Sequence, residues 1–164
     1  MIKIKEKGLQ DYASTWQEMV SFTENRNSQT EDELWTLEHR SVFTQGLSGK
    51  PEHLLKKTKI EVIKSDRGGQ ITYHGPGQLI VYCMIDIKRL GIGVKQMVSI
   101  IEKSIMDLLS DYSITSHKIP GAPGVYVDGS KIAALGLKVK RGKTYHGLSP
   151  VSYTHLTLPT TPYV

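Results

Sequence analysis

The stretch Arg67-Gly68-Gly69-Gln70-Ile71-Thr72-Tyr73-His74-Gly75-Pro76-Gly77-Gln78 holds four of the chain's 15 glycines, an arginine and a histidine. It lies between two apolar runs, residues 59–63 and 79–85, whose composition predicts strands. Glycine allows backbone angles that a Cβ forbids and lets a ligand approach the main chain. We therefore predict a ligand-binding connection between two strands, with backbone N–H groups turned toward a carbonyl or an anion and Arg67 adding charge.

A simpler structural interpretation of this stretch stays open. Its glycines could serve only the geometry of a tight turn, and His74 could be a packed core histidine. The common nucleotide-binding motifs are excluded, because no lysine follows in the register of a P-loop and no Gly-x-Gly-x-x-Gly pattern precedes a helix.

The composition is that of one globular domain. The chain has 164 residues, of which 38% are hydrophobic and 23% are charged, enough for a single core. No charged-then-apolar leader opens the chain and no apolar run approaches the roughly 20 residues of a membrane span, so we expect a cytoplasmic protein without a membrane partner. A single cysteine fits a reducing compartment.

The net positive charge favours acidic partners, whether nucleic acid, anionic lipid or acidic proteins. The net charge is +5, but the basic residues are scattered and aromatic residues do not alternate with them as in a base-stacking surface. His39 and His53 are predicted to be surface or packing residues, because no Cys/His pair has the spacing of metal ligands. We therefore predict no metal site.

The hydrophobic patterns predict an α+β fold. Residues 1–5 alternate like a short strand, residues 33–38 suggest a second strand, and a long polar loop follows as far as residue 51. The spacing over residues 94–111 predicts a long amphipathic helix on one face of the sheet. An earlier helix, ending before residue 25, is predicted from a set of apolar residues at helical spacing: Leu9, Tyr12, Trp16, Met19 and Val20.

The dipeptide Asp128-Gly129 predicts a β-hairpin with a two-residue turn. Pairing outward from this turn places Tyr126 opposite Lys131. Farther along the second strand, apolar residues occupy the odd positions, so the odd positions should face the core. Extended back without a bulge, the same alternation places Lys131 inward.

An inward lysine is unfavourable unless it is paired, and desolvation favours the neutral amine that a proton-handling lysine needs. The alternative is that Lys131 lies at the strand end, reaches water and has no role.

The stretch 67–78 resembles the signature of the octanoyltransferases of lipoate biosynthesis. Two further matches follow the same order along the chain: Phe-Thr-Gln-Gly at residues 43–46, and Ala-Pro-Gly-Val-Tyr-Val-Asp-Gly-Ser-Lys-Ile-Ala-Ala-Leu-Gly-Leu at residues 122–137. The second continues to His-Gly-Leu at residues 146–148. The resemblance covers residues 1–149, and it implies a mixed β-sheet flanked by helices, like the catalytic domain of biotin and lipoate protein ligases.

The resemblance also implies a site and a reaction. Lys131 matches the catalytic lysine that supports a nucleophilic cysteine, which takes an octanoyl group from acyl carrier protein as a thioester and passes it to a lysine of a lipoyl domain. The acceptors are the lipoyl domains of 2-oxoacid dehydrogenases and the glycine cleavage H protein, the family suggests a monomer, and no metal or cofactor is required. The implied acyl-binding residues are Arg67, Gly68, Gly69, Gln70, Ile71, Thr72, Tyr73, His74, Ala134, Leu135, Gly136, Gly147, Leu148 and Ser149.

The sequence departs from the family after residue 148. The family continues to a Pro-Cys-Gly motif that supplies the nucleophile, whereas the one cysteine here is Cys83, in an apolar run where we expect an inert packing residue. Residues 150–164 carry no charged side chain, and we expect them to be a foreign tail rather than an ordinary Thr/Pro-rich extension. Residues 1–149 would then be a catalytic domain that is incomplete at its C-terminus.

Three interpretations follow. The chain is an octanoyltransferase domain without its nucleophile and is inactive as written, or it is a non-catalytic module that binds an acyl group or a carrier protein. A lipoate-ligase-like enzyme is the weaker third, because the stretch 67–78 fits the transferases better.

Overall fold

Ten strands and two helices form the part of the chain that a computed structural model describes, residues 1–54 and 59–150. A short 3-10 turn at Pro51–His53 adds to them. In chain order the elements are β1 (Ile2–Gln10), α1 (Tyr12–Asn25), β2 (Asp32–His39), β3 (Val42–Gln45), β4 (Val62–Lys64), β5 (Ile71–His74), β6 (Ile80–Met84), α2 (Val94–Asp111), β7 (His117–Ile119), β8 (Ala122–Val127), β9 (Ser130–Lys140) and β10 (Lys143–Pro150).

The strands form two sheets. The larger has seven strands in the order β1-β2-β6-β10-β9-β8-β7, and the smaller has three in the order β4-β3-β5. Both are mixed, because β1 runs parallel to β2 and β4 runs parallel to β3, whereas the other pairs are antiparallel. The predicted α+β fold with a mixed sheet flanked by helices is confirmed.

Apolar side chains cover both faces of the large sheet. Strand β6 lies near its centre, and Tyr82 and Met84 pack in a cluster with residues of α1, whereas Cys83 packs in a second cluster with residues of α2. Consecutive residues of one strand thus enter opposite cores, as expected from the period of two in a strand. The prediction of a strand within residues 79–85 is confirmed, and this strand is buried on both faces.

Helix α1 begins later than the hydrophobic spacing predicted. The Asp11 carboxylate accepts a hydrogen bond from the Ser14 N–H at 2.9 Å and caps the helix at Tyr12. Leu9 belongs instead to β1, which extends to Gln10, and its side chain is 48% exposed. Including Leu9 in the helix was therefore wrong. Its spacing to Tyr12 and Trp16 fits a helix, but the cap at Asp11 starts the helix after it.

Two short strands were missed. Val42–Gln45 was expected to be part of a long loop, but it forms β3, the central strand of the small sheet. Ile71–His74 lies within the glycine-rich stretch and forms β5 beside it. The stretch 67–78 therefore contains a strand of its own, and it connects the small sheet, through β4, with β6 of the large sheet.

In the second half of the chain, α2 and the β8–β9 hairpin agree with the predictions from the sequence. Helix α2 spans Val94–Asp111 as predicted and packs against β8 and β9. Strands β8 and β9 form the expected hairpin, with Tyr126 opposite Lys131. Neither described helix is long and apolar enough to cross a membrane. Pro150 ends β10 opposite Ala133, and the rest of the predicted tail, residues 151–164, lies outside the described residues.

We predict that Met84→Ala destabilises the fold by about 2–5 kcal/mol, because Met84 is fully buried and truncation leaves a cavity in the α1 core. Denaturant unfolding followed by circular dichroism measures the change. Ile4→Ala is the matched control, since Ile4 is 68% exposed on β1 and should shift stability by less than about 0.5 kcal/mol. Equal effects of the two substitutions would contradict this assignment of the core.

Candidate active site

The glycine-rich stretch docks on strand β9 through its backbone. The Gly68 N–H donates to the Leu137 carbonyl at 3.0 Å. A Cβ at Gly136 would lie 2.7 Å from the Gly68 carbonyl oxygen, so no larger residue fits there without movement. At Gly147, which pairs with Gly136, a Cβ would lie 2.0 Å from the Val81 carbonyl oxygen. These glycines are required for close backbone approach.

The structure thus brings three groups of predicted acyl-binding residues together. Residues 67–70 form a bend, the glycine bend, which touches strand β9 at Gly136. Residues 134–136 of β9 pair with residues 147–149 of β10. Residues 46–48 also contact the bend, and their N–H groups donate to the carbonyls of Gln70, Arg67 and Gly69 at 3.0 Å each. The segment that resembled the family at residues 43–46 therefore lies directly against the stretch 67–78.

Arg67 holds the bend from inside the protein. Its side chain donates to the Thr44 carbonyl at 2.6 Å and to the Thr44 hydroxyl, and to the carbonyls of Gly68 at 2.8 Å and Gln70 at 2.9 Å. Burial lowers the pKa of Arg67, but a guanidinium stays protonated in proteins. The expected charge beside the bend is present, and its hydrogen bonds join β3 to the bend.

The remaining predicted residues of the stretch lie on β5. Ile71, Thr72, Tyr73 and His74 pair in order with Gln45, Thr44, Phe43 and Val42 of β3. His74 is 6% exposed, and its Nδ1 lies 2.8 Å from the Gln78 side-chain oxygen. This histidine is buried, as the simpler structural interpretation of the stretch expected.

A cluster of buried rings behind the bend was not predicted. The Tyr12 ring lies 5.2 Å from the His39 ring, and His39 Nε2 lies 2.7 Å from the Tyr82 hydroxyl. Burial lowers the pKa of His39 and raises the pKa values of Tyr12 and Tyr82, so these groups are neutral at pH 7. His39 is a packing residue, as one of the sequence expectations had it.

Asp66 and His146 connect this cluster to the bend, and sequence reasoning gave neither a role. Asp66 Oδ1 lies 2.9 Å from His146 Nε2, and the Tyr145 hydroxyl donates to Asp66 Oδ2. Burial lowers the pKa of His146, so its neutral ring donates from Nε2. The position of Asp66, directly before Arg67, is a signal for one member of the pair, but it does not identify His146 as the partner.

The Asp66 carboxylate is held ionised by these donors. Burial raises the pKa of Asp66, but the hydrogen bonds from His146 and Tyr145 outweigh burial and lower the pKa to about 2. Asp66 thereby ties the bend to β10, just as Gly68 ties it to β9.

The prediction that Lys131 points inward is wrong. Val125 pairs with Ala133 and Tyr126 pairs with Lys131, so Ile132 is one extra residue and a bulge interrupts the alternation. Lys131 is exposed, and its Nζ donates to the Pro123 carbonyl at 3.0 Å. Gly136 is five positions farther along β9, roughly 16 Å away at about 3.3 Å per residue. Lys131 and the glycine bend thus lie at different positions along β9, and they do not contact each other.

Cys83 is buried, as expected. Its residue exposure is 3%, and burial raises the pKa of its thiol to about 12. At neutral pH the thiolate fraction is negligible, and the thiolate is the nucleophilic form.

An apolar groove of about 280 Å³ lies between α2 and the ends of β6, β9 and β10. Of the predicted acyl-binding residues, Leu148 is part of its wall, and Ile132, next to Lys131, forms another part. Within the described residues, no group of three or more His, Cys, Asp or Glu side chains could hold a metal ion.

Known proteins resemble this chain over most of its length. The family model of the lipoyl protein ligase A/B catalytic domain matches residues 11–157. An octanoyltransferase of Vesicomyosocius okutanii is 56% identical over 90% of this chain and 72% of its own length, and an octanoyltransferase of Chromobacterium violaceum is 57% identical over 89% of this chain and 70% of its own length. The chain belongs to the octanoyltransferase family, within the lipoyl protein ligase A/B catalytic domains.

Solved structures support the fold. A bipartite lipoate protein ligase of Thermoplasma acidophilum aligns with a TM-score of 0.69 at 13% identity, covering 93% of this chain and 63% of that one. A biotin protein ligase of Aquifex aeolicus aligns with a TM-score of 0.50 at 12% identity, covering 90% and 51%. The predicted likeness to the catalytic domains of lipoate and biotin ligases is confirmed.

We predict that Asp66→Asn removes part of the acid sensitivity of the fold. The Asp66 pKa is about 2 in the fold and its unperturbed value is 3.8, so ionised Asp66 stabilises the fold above about pH 4, and this contribution is lost as the pH falls toward 2. After allowance for a side chain that is 29% exposed, the loss is about 1–2 kcal/mol.

Unfolding free energies measured at several pH values between 5 and 2 check this prediction. Asp111→Asn, which changes an exposed carboxylate at the end of α2, is the control and should keep the wild-type pH dependence. An Asp66→Asn curve parallel to wild type over the whole range would contradict it.

Proposed function

We propose that this chain is the catalytic domain of an enzyme that transfers octanoyl or lipoyl groups from acyl carrier protein to lipoyl domains. The acceptors are a lysine of the lipoyl domains of 2-oxoacid dehydrogenases and of the glycine cleavage H protein. Family membership supports the reaction type, and the docking of the glycine bend on Gly136, which pairs with Gly147, is the observation that carries the site.

The reaction has two acyl transfers. A cysteine thiolate attacks the carbonyl carbon of the octanoyl thioester, a thioester with the enzyme forms, and the thiol of the carrier protein leaves. The lysine amine of the lipoyl domain then attacks the enzyme thioester, an amide forms, and the cysteine is released. Lys131 exchanges the protons of these steps, and the residues around the glycine bend hold the acyl chain.

Lys131 suits this role without being inward. Its ammonium is exposed where a thiol and a carrier-borne substrate can reach it, and the Pro123 carbonyl fixes its direction. Of the proposed acyl-binding residues, 134–136 and 147–149 pair on β9 and β10 of the large sheet, and residues 67–70 lie against β9 at Gly136. Residues 71–74 belong to β5 of the small sheet. An acyl chain running along β9 would connect the two groups.

We further propose that the chain as written is catalytically incompetent. Cys83 is its single cysteine, and this thiol is buried and protonated. Such a chain could still bind an acyl group or its carrier, which is the alternative function. On composition, we assign residues 1–149 to the catalytic domain and 150–164 to a foreign tail. We place the protein in the cytoplasm as a monomer, with its net charge of +5 favouring acidic carrier and lipoyl domains.

We predict that joining residues 1–149 to the C-terminal part of the Chromobacterium violaceum relative gives octanoyl transfer to a lipoyl domain. In that fusion, Lys131→Ala should lower the rate at least about 100-fold, the usual contribution of an acid-base group. Mass spectrometry of the lipoyl domain measures the product. Lys140→Ala, on the same strand with its amine paired to Glu24, is the control and should keep full activity. An active Lys131→Ala fusion would refute the role of Lys131.

We also predict that the chain as written forms no covalent product with octanoyl-acyl carrier protein. Intact-mass spectrometry after incubation should show the unmodified chain, both for wild type and for Cys83→Ser, because the buried thiol cannot act. A thioester on Cys83 would overturn the assignment of this residue as inert.

A further inference from the structure

A buried carboxylate of α2 points at the hairpin that carries Lys131. Glu102 is 7% exposed, and its Oε1 accepts a hydrogen bond from the Gly124 N–H at 3.1 Å. Its Oε2 lies 3.8 Å from Lys118 Nζ, which also donates to the Ser99 hydroxyl at 3.2 Å. A buried carboxylate is tolerated only with such partners, so Glu102 is held in one position by β8 and Lys118.

The peptide unit between Pro123 and Gly124 binds Glu102 at one end and Lys131 at the other. The Gly124 N–H that donates to Glu102 and the Pro123 carbonyl that accepts from Lys131 Nζ belong to one peptide unit. A peptide unit is planar and rigid, so fixing its N–H also fixes its carbonyl. Hydrogen bonds at both ends of an amide also polarise and strengthen each other.

Gly124 makes this arrangement possible. Its φ is 133°, a conformation that favours glycine, and a Cβ there would lie 2.6 Å from the Ala133 carbonyl oxygen. The same Cβ would lie 3.2 Å from Lys131 Cε, so the absence of a side chain lets the Lys131 stem lie across the strand. The Tyr126 ring, 5.3 Å from Lys131 Nζ, borders the amine on β8.

We propose that Glu102 is a positioning residue for Lys131, acting through the peptide unit between Pro123 and Gly124. Its carboxylate orients that peptide so that the Pro123 carbonyl faces the hairpin and holds the Lys131 amine. The importance of this for catalysis rests on the proposed function of Lys131, but the contact itself does not.

The test measures the chemical reactivity of the Lys131 amine in the unfused 164-residue chain. Limited acylation with an N-hydroxysuccinimide ester, followed by peptide mass spectrometry, gives the labelling rate of Lys131 relative to Lys103, an exposed lysine of α2. A hydrogen bond to the Pro123 carbonyl withholds the amine from the reagent. Glu102→Leu should therefore raise the relative rate by about three- to tenfold, the range expected for loss of one hydrogen bond.

Conservative variants separate positioning from a general loss of structure. Glu102→Gln keeps an oxygen that can accept from the Gly124 N–H and should keep a rate near wild type, whereas Glu102→Asp keeps the charge but shortens its reach and should behave like Glu102→Leu. If Glu102→Leu does not fold, as judged by circular dichroism, Glu102→Asp decides. Asp111→Asn, at the exposed end of the same helix, is the matched control and should leave the rate unchanged.

An unchanged Lys131 rate in folded Glu102→Leu or Glu102→Asp would overturn the proposal. So would a Glu102→Gln rate as high as that of Glu102→Leu. Because labelling needs no acyl transfer, its outcome is independent of the fusion assay: an inactive fusion with the expected labelling pattern counts against the proposed function alone.

Discussion

The backbone contact between Gly68 and strand β9 is the constraint on which the arrangement of the two sheets depends. A Cβ at Gly136 would lie 2.7 Å from the Gly68 carbonyl oxygen, so the bend and the strand can approach this closely only because Gly136 lacks a side chain. Arg67 extends the contact to Thr44 of the small sheet, and Asp66 extends it to His146 of the large one. Three consecutive residues therefore join both sheets, which explains why the most informative stretch of the sequence is neither a helix nor a long strand.

Sequence reasoning succeeded where a pattern is long and local. The 3.6-residue period of α2 and the Asp128-Gly129 turn each fix their structure within a few residues of the chain. Sequence reasoning failed where a strand is defined by pairing with distant segments, and where a bulge adds one residue to a strand. Strand β3 is only four residues long and is defined by pairing with β4 and β5. The bulge at Ile132 interrupts the alternation along β9, and so it changes the orientation of Lys131.

Sequence reasoning grouped the residues of the candidate site but did not predict the contacts that support them. Gly68 lies against Gly136, which pairs with Gly147. The pair of Asp66 and His146, 80 residues apart, could not be read from either position alone. The buried His39 ring near the bend is neutral, whereas the neighbouring Arg67 side chain is charged. Backbone carbonyl oxygens of Thr44 and Gln70 accept its hydrogen bonds.

Strand β1 has a further consequence for the behaviour of the chain in concentrated solution. It is an edge of the large sheet, and its outer groups would offer a foreign strand a place to add. Its exposed apolar residues Ile2 and Ile4 alternate with Lys3 and Lys5, which pair with Glu31 and Glu33. A second copy adding there would have to bring like charges together and strip these ammonium groups of water. Among residues 1–54 and 59–150, no helix covers this edge, and its lysines disfavour aggregation by strand addition.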